Sequence, residues 1–208
     1  MRVVPPTPQG LAEAADALRQ DNVVAYPTDT FYGLAVNPFS AKALARLFEV
    51  KSRAATRAVI LVVADTDQVH EIANALSDRA LICIQHFWPG PLSITLPRSP
   101  RLPETVTAGK STVCVRCPNS RAARDLCRAF GCAITSTSAN RSGHEPARSL
   151  DEIELEGIAV AVNGGRLPPS LPSTVYDPDR HVILRPGAVS KEMLQEVMPP
   201  LVDKRANQ

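Results

Sequence analysis

Short apolar runs alternate with amphipathic segments of helix length along almost the whole chain, and this alternation constrains the fold more than any other feature. The runs at 22–27, 58–63, 92–96, 112–117, 132–136, 158–162 and 182–184 have the length and composition of strands. Between them, 10–20, 40–50, 66–76, 77–87, 119–130 and 190–198 carry helical spacing, as where Leu44, Leu47 and Phe48 recur at i, i+3 and i+4. Ser40 is placed to cap the second of these, and Ser149 with Glu152 reads as a capping box before a short helix. The 58–63 run is continuously apolar, as in a strand covered on both sides. By contrast, Leu92, Ile94 and Leu96 alternate with Ser93 and Thr95 after a turn at Trp88-Pro-Gly-Pro91, whose reversal of direction implies a mixed sheet. The expectation is a single α/β domain over 1–208, with its core at about 8–190: a twisted mixed sheet flanked by helices. Aromatics are 4% of the chain, so Val, Ile, Leu and Ala must supply the core, and the polar end from Asp203 to Gln208 is expected to fray.

Composition excludes several functions. Lys plus Arg number 23 against 21 Asp plus Glu, too even a balance to mark a nucleic-acid binder by bulk charge. No apolar run approaches the ~18–20 residues of a membrane span. Met1 to Gly10 lacks the basic-then-apolar pattern of a signal peptide, so a cytoplasmic protein with no membrane partner is expected. In that compartment the acceptor pattern Asn140-Arg141-Ser142 has no meaning for glycosylation. Cys114 and Cys117 have redox-motif spacing, and Cys127 and Cys132 could complete a metal set. However, residues three apart on a strand face opposite sides, whereas zinc pairs sit on tight knuckles. Five cysteines, an odd number, suit buried thiols, and no zinc or other protein-held metal is expected.

Familiar nucleotide signatures are missing. There is no Gly-x-Gly-x-x-Gly, and Gly109-Lys110-Ser111 resembles the end of a phosphate loop whose upstream glycine is replaced by Glu104. Hydrolase motifs built on Gly-x-Ser-x-Gly or His-Glu-x-x-His are absent too. What remains is a set of polar clusters at strand and helix ends: Pro27-Thr-Asp-Thr-Phe-Tyr-Gly-Leu34, Lys51-Ser-Arg53 and Thr135-Ser-Thr-Ser-Ala-Asn140. Hydroxyls and amides at that density are costly to bury without partners, and lining a polar ligand site satisfies them. Arg53, Arg57, Arg116, Arg141 and Arg185 lie beside these motifs, and arginine's planar fork suits phosphate and carboxylate.

Taken in order with Trp88-Pro-Gly-Pro91, Val115-Arg-Cys-Pro118, Ser136-Thr-Ser-Ala-Asn140-Arg-Ser-Gly143, Ser173-Thr-Val-Tyr176 and Ile183-Leu-Arg-Pro-Gly187, these clusters resemble the signature of the YrdC family. Its biosynthetic members are L-threonylcarbamoyladenylate synthases. The similarity runs over about 8–190 and looks like the family's short, one-domain form. It implies a YrdC-like fold and a nucleotidyltransferase making L-threonylcarbamoyl-AMP and pyrophosphate from L-threonine, bicarbonate and ATP, for N6-threonylcarbamoyladenosine in tRNA. ATP is then a substrate, magnesium accompanies its triphosphate, and partners include tRNA and downstream threonylcarbamoyl-transfer proteins.

By the same resemblance, Lys51, Arg53, Ser138 and Asn140 are catalytic and, with Arg57, Thr112 and Arg185, hold ATP. Thr30, Tyr32, Arg116, Ser136 and Ser173 surround threonine. Two departures stand out: Ala54 replaces a common proline, and the 59–63 segment has no histidine where longer members carry one against threonine. Threonine recognition then falls to Arg116 and the hydroxyls. Two alternatives stay open. One is an RNA-binding module of the same fold without ATP chemistry, using Arg121, Arg124 and Arg128 on one helix with Arg141 and Arg148. The other is a carbamoyl-adenylate-forming domain like that of hydrogenase maturation proteins.

Overall fold

A computed structural model describes residues 1–52, 57–141 and 143–198. Arg53 and Ala54, and the end from Asp203, lie outside the described residues. The helices are α1 (Pro8–Arg19), α2 (Ala41–Val50), α3 (Val69–Ile72), α4 (Asp78–Phe87), α5 (Glu104–Thr107), α6 (Arg121–Phe130) and α7 (Lys191–Val197). Five of them start on a hydroxyl residue. Thr7, Ser40, Ser77, Ser120 and Ser190 accept hydrogen bonds from the N–H groups of Gly10, Ala43, Ala80, Ala123 and Met193, satisfying donors that a helix start leaves open.

Among the described residues, ten strands make one sheet: β1 (Arg2–Val4), β2 (Val23–Pro27), β3 (Tyr32–Ala35), β4 (Ile60–Val62), β5 (Leu92–Pro97), β6 (Thr112–Arg116), β7 (Ile134–Ser138), β8 (Ile158–Val162), β9 (Thr174–Asp177) and β10 (Val182–Arg185). Their order is β1-β8-β2-β3-β7-β4-β6-β5-β9-β10. The sheet is mixed: β8 is parallel to β1 and β2, β4 to β6, and β5 to β9, while the remaining neighbours are antiparallel.

Three strands escape the sequence reading. β1 and β9 are three and four residues long, too short for a period to show, and β3 lies inside the polar Pro27–Leu34 motif. The helix expected at 66–76 is only the single turn α3. After it Ala73 is extended and bridges Arg98, while Asn74 N–H donates to Pro97 and Ser99 N–H to Ile72, so tertiary backbone partners win over helix continuation. The capping box at 149–152 is also corrected. The Glu152 carboxylate accepts from Arg148 N–H at 2.7 Å, the Ser149 hydroxyl caps nothing, and Leu150–Glu152 is a 3-10 turn.

Strand alternation sends side chains into two cores. Leu11, Leu18, Leu126 and Cys127 from α1 and α6 cover Val24 and Tyr26 of β2, Val160 and Val162 of β8 and Ile134 of β7. On the opposite face, Leu44 and Leu47 of α2 and Ile84 of α4 belong to the core that buries Leu34, Leu61, Leu92, Ile94, Leu96, Val113 and Val115. Each fully buried Leu, Ile or Val contributes roughly 1.5–3 kcal/mol.

Candidate functional site

Helices α1 and α6 cover only part of their face of the sheet. On β7, Ile134 packs beneath them, while Ser136 and Ser138, two and four residues on and so on the same side, open into a hollow of about 490 Å³. The register carries this polar row across the sheet. Ser136 pairs with Ile60, Ile60 with Cys114 and Cys114 with Thr95, and all four line the hollow. Further along, Ser93 pairs with Val175, and Thr112 and Arg116 flank Cys114 on β6. Loops, β3 and β10 add Thr28, Thr30, Tyr32, Lys110, Ser173 and Arg185, and no helical residue contributes among the described residues.

The deep cation is Arg116, 6% exposed. Its Nε donates to Gly90 O at 2.9 Å, one terminal nitrogen to Thr30 Oγ1 at 3.1 Å and the other to Asp29 Oδ1 at 2.6 Å. Burial lowers its pKa and the Asp29 carboxylate opposes that shift, so the guanidinium stays charged. Thr28 forms a hydroxyl-stabilised turn beneath this pair. Its Oγ1 accepts from the N–H groups of Thr30 and Phe31 and donates to Phe31 O, which aims Thr30 at Arg116.

On the opposite wall, Ser93 Oγ and Ser173 Oγ share a hydrogen bond of 2.9 Å. Arg185 donates to the Ser173 hydroxyl at 3.0 Å and to its carbonyl at 2.8 Å. Gly187 makes this possible: a Cβ there would lie 2.2 Å from Pro172 O, so only glycine lets the Arg-Pro-Gly turn press against the 172–174 backbone.

The third wall is the Ser138–Asn140 turn. Lys51 is 3% exposed and donates from Nζ to Ser138 O at 2.5 Å, to Asn140 O at 2.8 Å and to Asn140 Oδ1 at 3.3 Å. Ser138 Oγ donates to Asn140 Oδ1 at 2.5 Å, and the Asn140 amide donates to His144 O. Lys51 therefore braces the turn whose Ser138 lines the hollow, rather than lining it directly. Of the residues expected to bind, Thr30, Tyr32, Thr112, Arg116, Ser136, Ser138, Ser173 and Arg185 converge on the hollow. Lys51 and Asn140 stand one contact behind Ser138, and Arg57 is exposed and outside the lining. Tyr32 presents its ring, because its hydroxyl donates to Gly165 O and accepts from Gly164 N–H.

Lining residues that the sequence reading passed over are Thr28, Ser93, Thr95, Thr137 and Lys110. Ser93 and Thr95 were legible as the polar half of a strand, but a polar half ordinarily faces water. The Val59–Val63 run, the segment in which longer YrdC-type chains are expected to have a histidine, contributes Ile60 and Val62 to the wall. Cys114 also lines the hollow, and burial pushes its thiol up to about 12 although Arg185 and Arg116 pull the other way. Burial likewise raises Cys83 to about 12 and Cys117 and Cys132 to about 11, so these free thiols are poor nucleophiles at neutral pH. The basic stripe on α6 is partly paired: Arg121 and Arg128 pair with Asp125, Arg128 also with Asp65, and Arg124 donates to Pro118 O. No helix among the described residues is long and apolar enough to cross a membrane.

A mixed α/β sheet bearing a hydroxyl-lined hollow with two guanidinium groups in its lining has the donors that small anionic ligands require. The chain belongs to the Sua5/YciO/YrdC family, whose model, described as telomere recombination, matches residues 16–187. It is 37% identical over 201 residues to a threonylcarbamoyl-AMP synthase of Bacillus subtilis, covering 93% of this chain and 58% of that protein. Against a threonylcarbamoyl-AMP synthase of Thiobacillus denitrificans it is 39% identical over 170 residues, 81% of this chain and 90% of the relative. Among solved structures, Pyrococcus abyssi Sua5 complexed with L-threonine superposes with a TM-score of 0.89 at 32% identity, over 95% of this chain and 59% of that one. The chain thus spans a little under three-fifths of its longer relatives and most of its shorter one.

Proposed function

We propose that this chain joins L-threonine, bicarbonate and ATP into L-threonylcarbamoyl-AMP and pyrophosphate, for N6-threonylcarbamoyladenosine modification of tRNA. The observation that carries the reading is the meeting of Thr30, Arg116, Ser136, Ser138, Ser173 and Arg185, drawn from distant parts of the chain, in one hollow. The relatives named for this activity support it.

In this reading the threonine amine and bicarbonate combine to a carbamate with loss of water. A carbamate oxygen then attacks the α-phosphorus of ATP and expels pyrophosphate. No covalent enzyme intermediate is needed, in keeping with protonated thiols and the absence of any carboxylate or imidazole among the described lining residues. Catalysis rests on positioning and electrostatics. Arg116 uses three of its five N–H donors on the protein, and the remaining two are left to take the threonine carboxylate, with Thr30, Ser136 and Ser173 around it. Arg185, Thr112 and Ser138 take the nucleotide, with Arg57 and Arg53 supplying charge from the segment between α2 and β4. Lys51 keeps Ser138 and Asn140 in register and adds positive potential behind them. The described lining offers magnesium no anionic ligand, so any such ion arrives on the triphosphate's own oxygens. The product passes to downstream threonylcarbamoyl-transfer proteins in the cytoplasm.

Incubating the protein with ATP, bicarbonate and labelled threonine and analysing by mass tests the reading. Adenylate carrying the label is expected, and pyrophosphate release indifferent to threonine overturns it. Lys51→Ala is expected to lower the rate about 100-fold or more, comparable to losing a preorganised donor elsewhere. Near-normal turnover in that variant removes Lys51 from the machinery. The RNA-module alternative predicts salt-sensitive RNA binding with no ATP consumption, and the internal pairing on α6 weighs against it.

A further inference from the structure

Lys110 belongs to the Gly-Lys-Ser triplet that lacks the rest of a phosphate loop, yet the fold brings it to the hollow by another route. Thr112, Cys114 and Arg116 face the hollow from β6, and Lys110, two residues before Thr112, continues that row to the rim. At about 3.3 Å per residue, the row from Arg116 to Lys110 spans roughly 20 Å, which puts Lys110 at the end remote from the deep arginine. Its backbone is held. Ala108 and Gly109 take left-handed conformations (φ 51° and 76°), and the N–H groups of Ala108, Gly109 and Lys110 donate to Thr105, Glu104 and Thr107.

The three lining cations differ in what they already hold. Arg116 is paired with Asp29, and Arg185 is bound to Ser173. The Lys110 side chain is exposed and has no hydrogen-bond or ion-pair partner among the described residues. An uncompensated ammonium on a fixed perch, at the mouth of a site with no carboxylate among its described lining residues, is placed to meet a polyanion. A lysine acts there as a mobile point charge rather than a fork.

We infer that Lys110 is a further substrate-contacting residue, taking the β- and γ-phosphates of ATP and then the departing pyrophosphate at the rim. This rests on the synthase reading of the hollow, and its test is separable from that reading. Inorganic pyrophosphate and L-threonine are titrated calorimetrically into the wild-type protein, K110A and K110R, at low and high salt, with labelled-adenylate formation by the wild type measured in parallel. K110A is expected to bind pyrophosphate about fivefold more weakly at low salt, the size of one partly solvated charge contact. Threonine affinity stays unchanged, K110R restores pyrophosphate binding, and the gap narrows as salt rises.

Equal pyrophosphate affinity in wild type and K110A overturns the assignment, as does failure of the wild type to bind pyrophosphate. A loss that extends equally to threonine also overturns it, since that marks structural damage. If the wild type makes adenylate while K110A binds pyrophosphate normally, only Lys110 falls. If it makes none, the synthase reading falls, and the pyrophosphate titration still decides Lys110.

Discussion

The two halves of one sheet face differ in a single respect. Beneath α1 and α6, the outward positions of β2, β8 and the start of β7 are Val24, Tyr26, Val160, Val162 and Ile134. Across β6, β5 and the end of β7, positions on the same side are Thr112, Cys114, Arg116, Ser93, Thr95, Ser136 and Ser138. Apolar side chains draw a helix over themselves, because burying them against it removes apolar area from water. Hydroxyls and guanidinium groups give no such return, and covering them with an apolar helix would strand their hydrogen-bonding capacity. The hollow is therefore the part of the face that the sequence declines to cover.

The comparison can be broken in order of expected effect. Asp29→Ala removes the counter-charge of buried Arg116, whose side chain is 7% exposed, and is expected to cost about 4 kcal/mol in denaturant unfolding while weakening threonine binding. An unchanged melting curve would show that water already compensates the guanidinium. Leu126→Ala, on the covered half, is expected to cost about 3 kcal/mol with threonine affinity untouched. If calorimetry shows threonine binding falling in step, the two halves are not independent.

Ser93→Ala removes the hydroxyl that shares a hydrogen bond with Ser173, and about 1 kcal/mol of stability should go with it. Its larger mark should be on the affinity of ligands held by the Ser173–Arg185 wall. A separate test is the response to alkali. The native thiols of Cys83, Cys114, Cys117 and Cys132 are raised to about 11–12 from an ordinary value of 9.0, so between those limits the unfolded chain holds fewer protons than the folded one. Stability is then fully present below pH 9 and falls as pH rises toward 11–12. Urea melts that stay level from pH 8 to 11 would contradict the burial of these thiols.

Much of this was legible beforehand where a period or cap repeats. The helix begun at Ser40 follows from its hydroxyl cap and apolar spacing, the helical stretches read at 77–87 and 190–198 match α4 and α7, and β2, β5, β6 and β8 match short apolar runs. β1, β3 and β9 were not, because three or four residues cannot display a period and their pairing partners are remote in sequence. The site divides similarly. Arg116, Ser138 and Arg185 stand in motifs dense enough to be singled out, whereas Lys110 sits in a triplet dismissed for lacking a glycine. Lys51 was expected to face phosphate, and the structure turns it inward onto the Ser138–Asn140 turn.

By itself, then, the sequence determined the kinds of element, the mixed character of the sheet and the chemical types of the groups that would need partners. These follow from local forces, namely backbone propensity, capping and the alternation of apolar with polar residues. Only the tertiary structure decided which polar strand faces meet one another, because Ser136, Cys114 and Thr95 become neighbours solely through the order and register of β7, β4, β6 and β5. Register is a matter of long-range pairing, and a shift of one residue would send every one of those side chains to the opposite core.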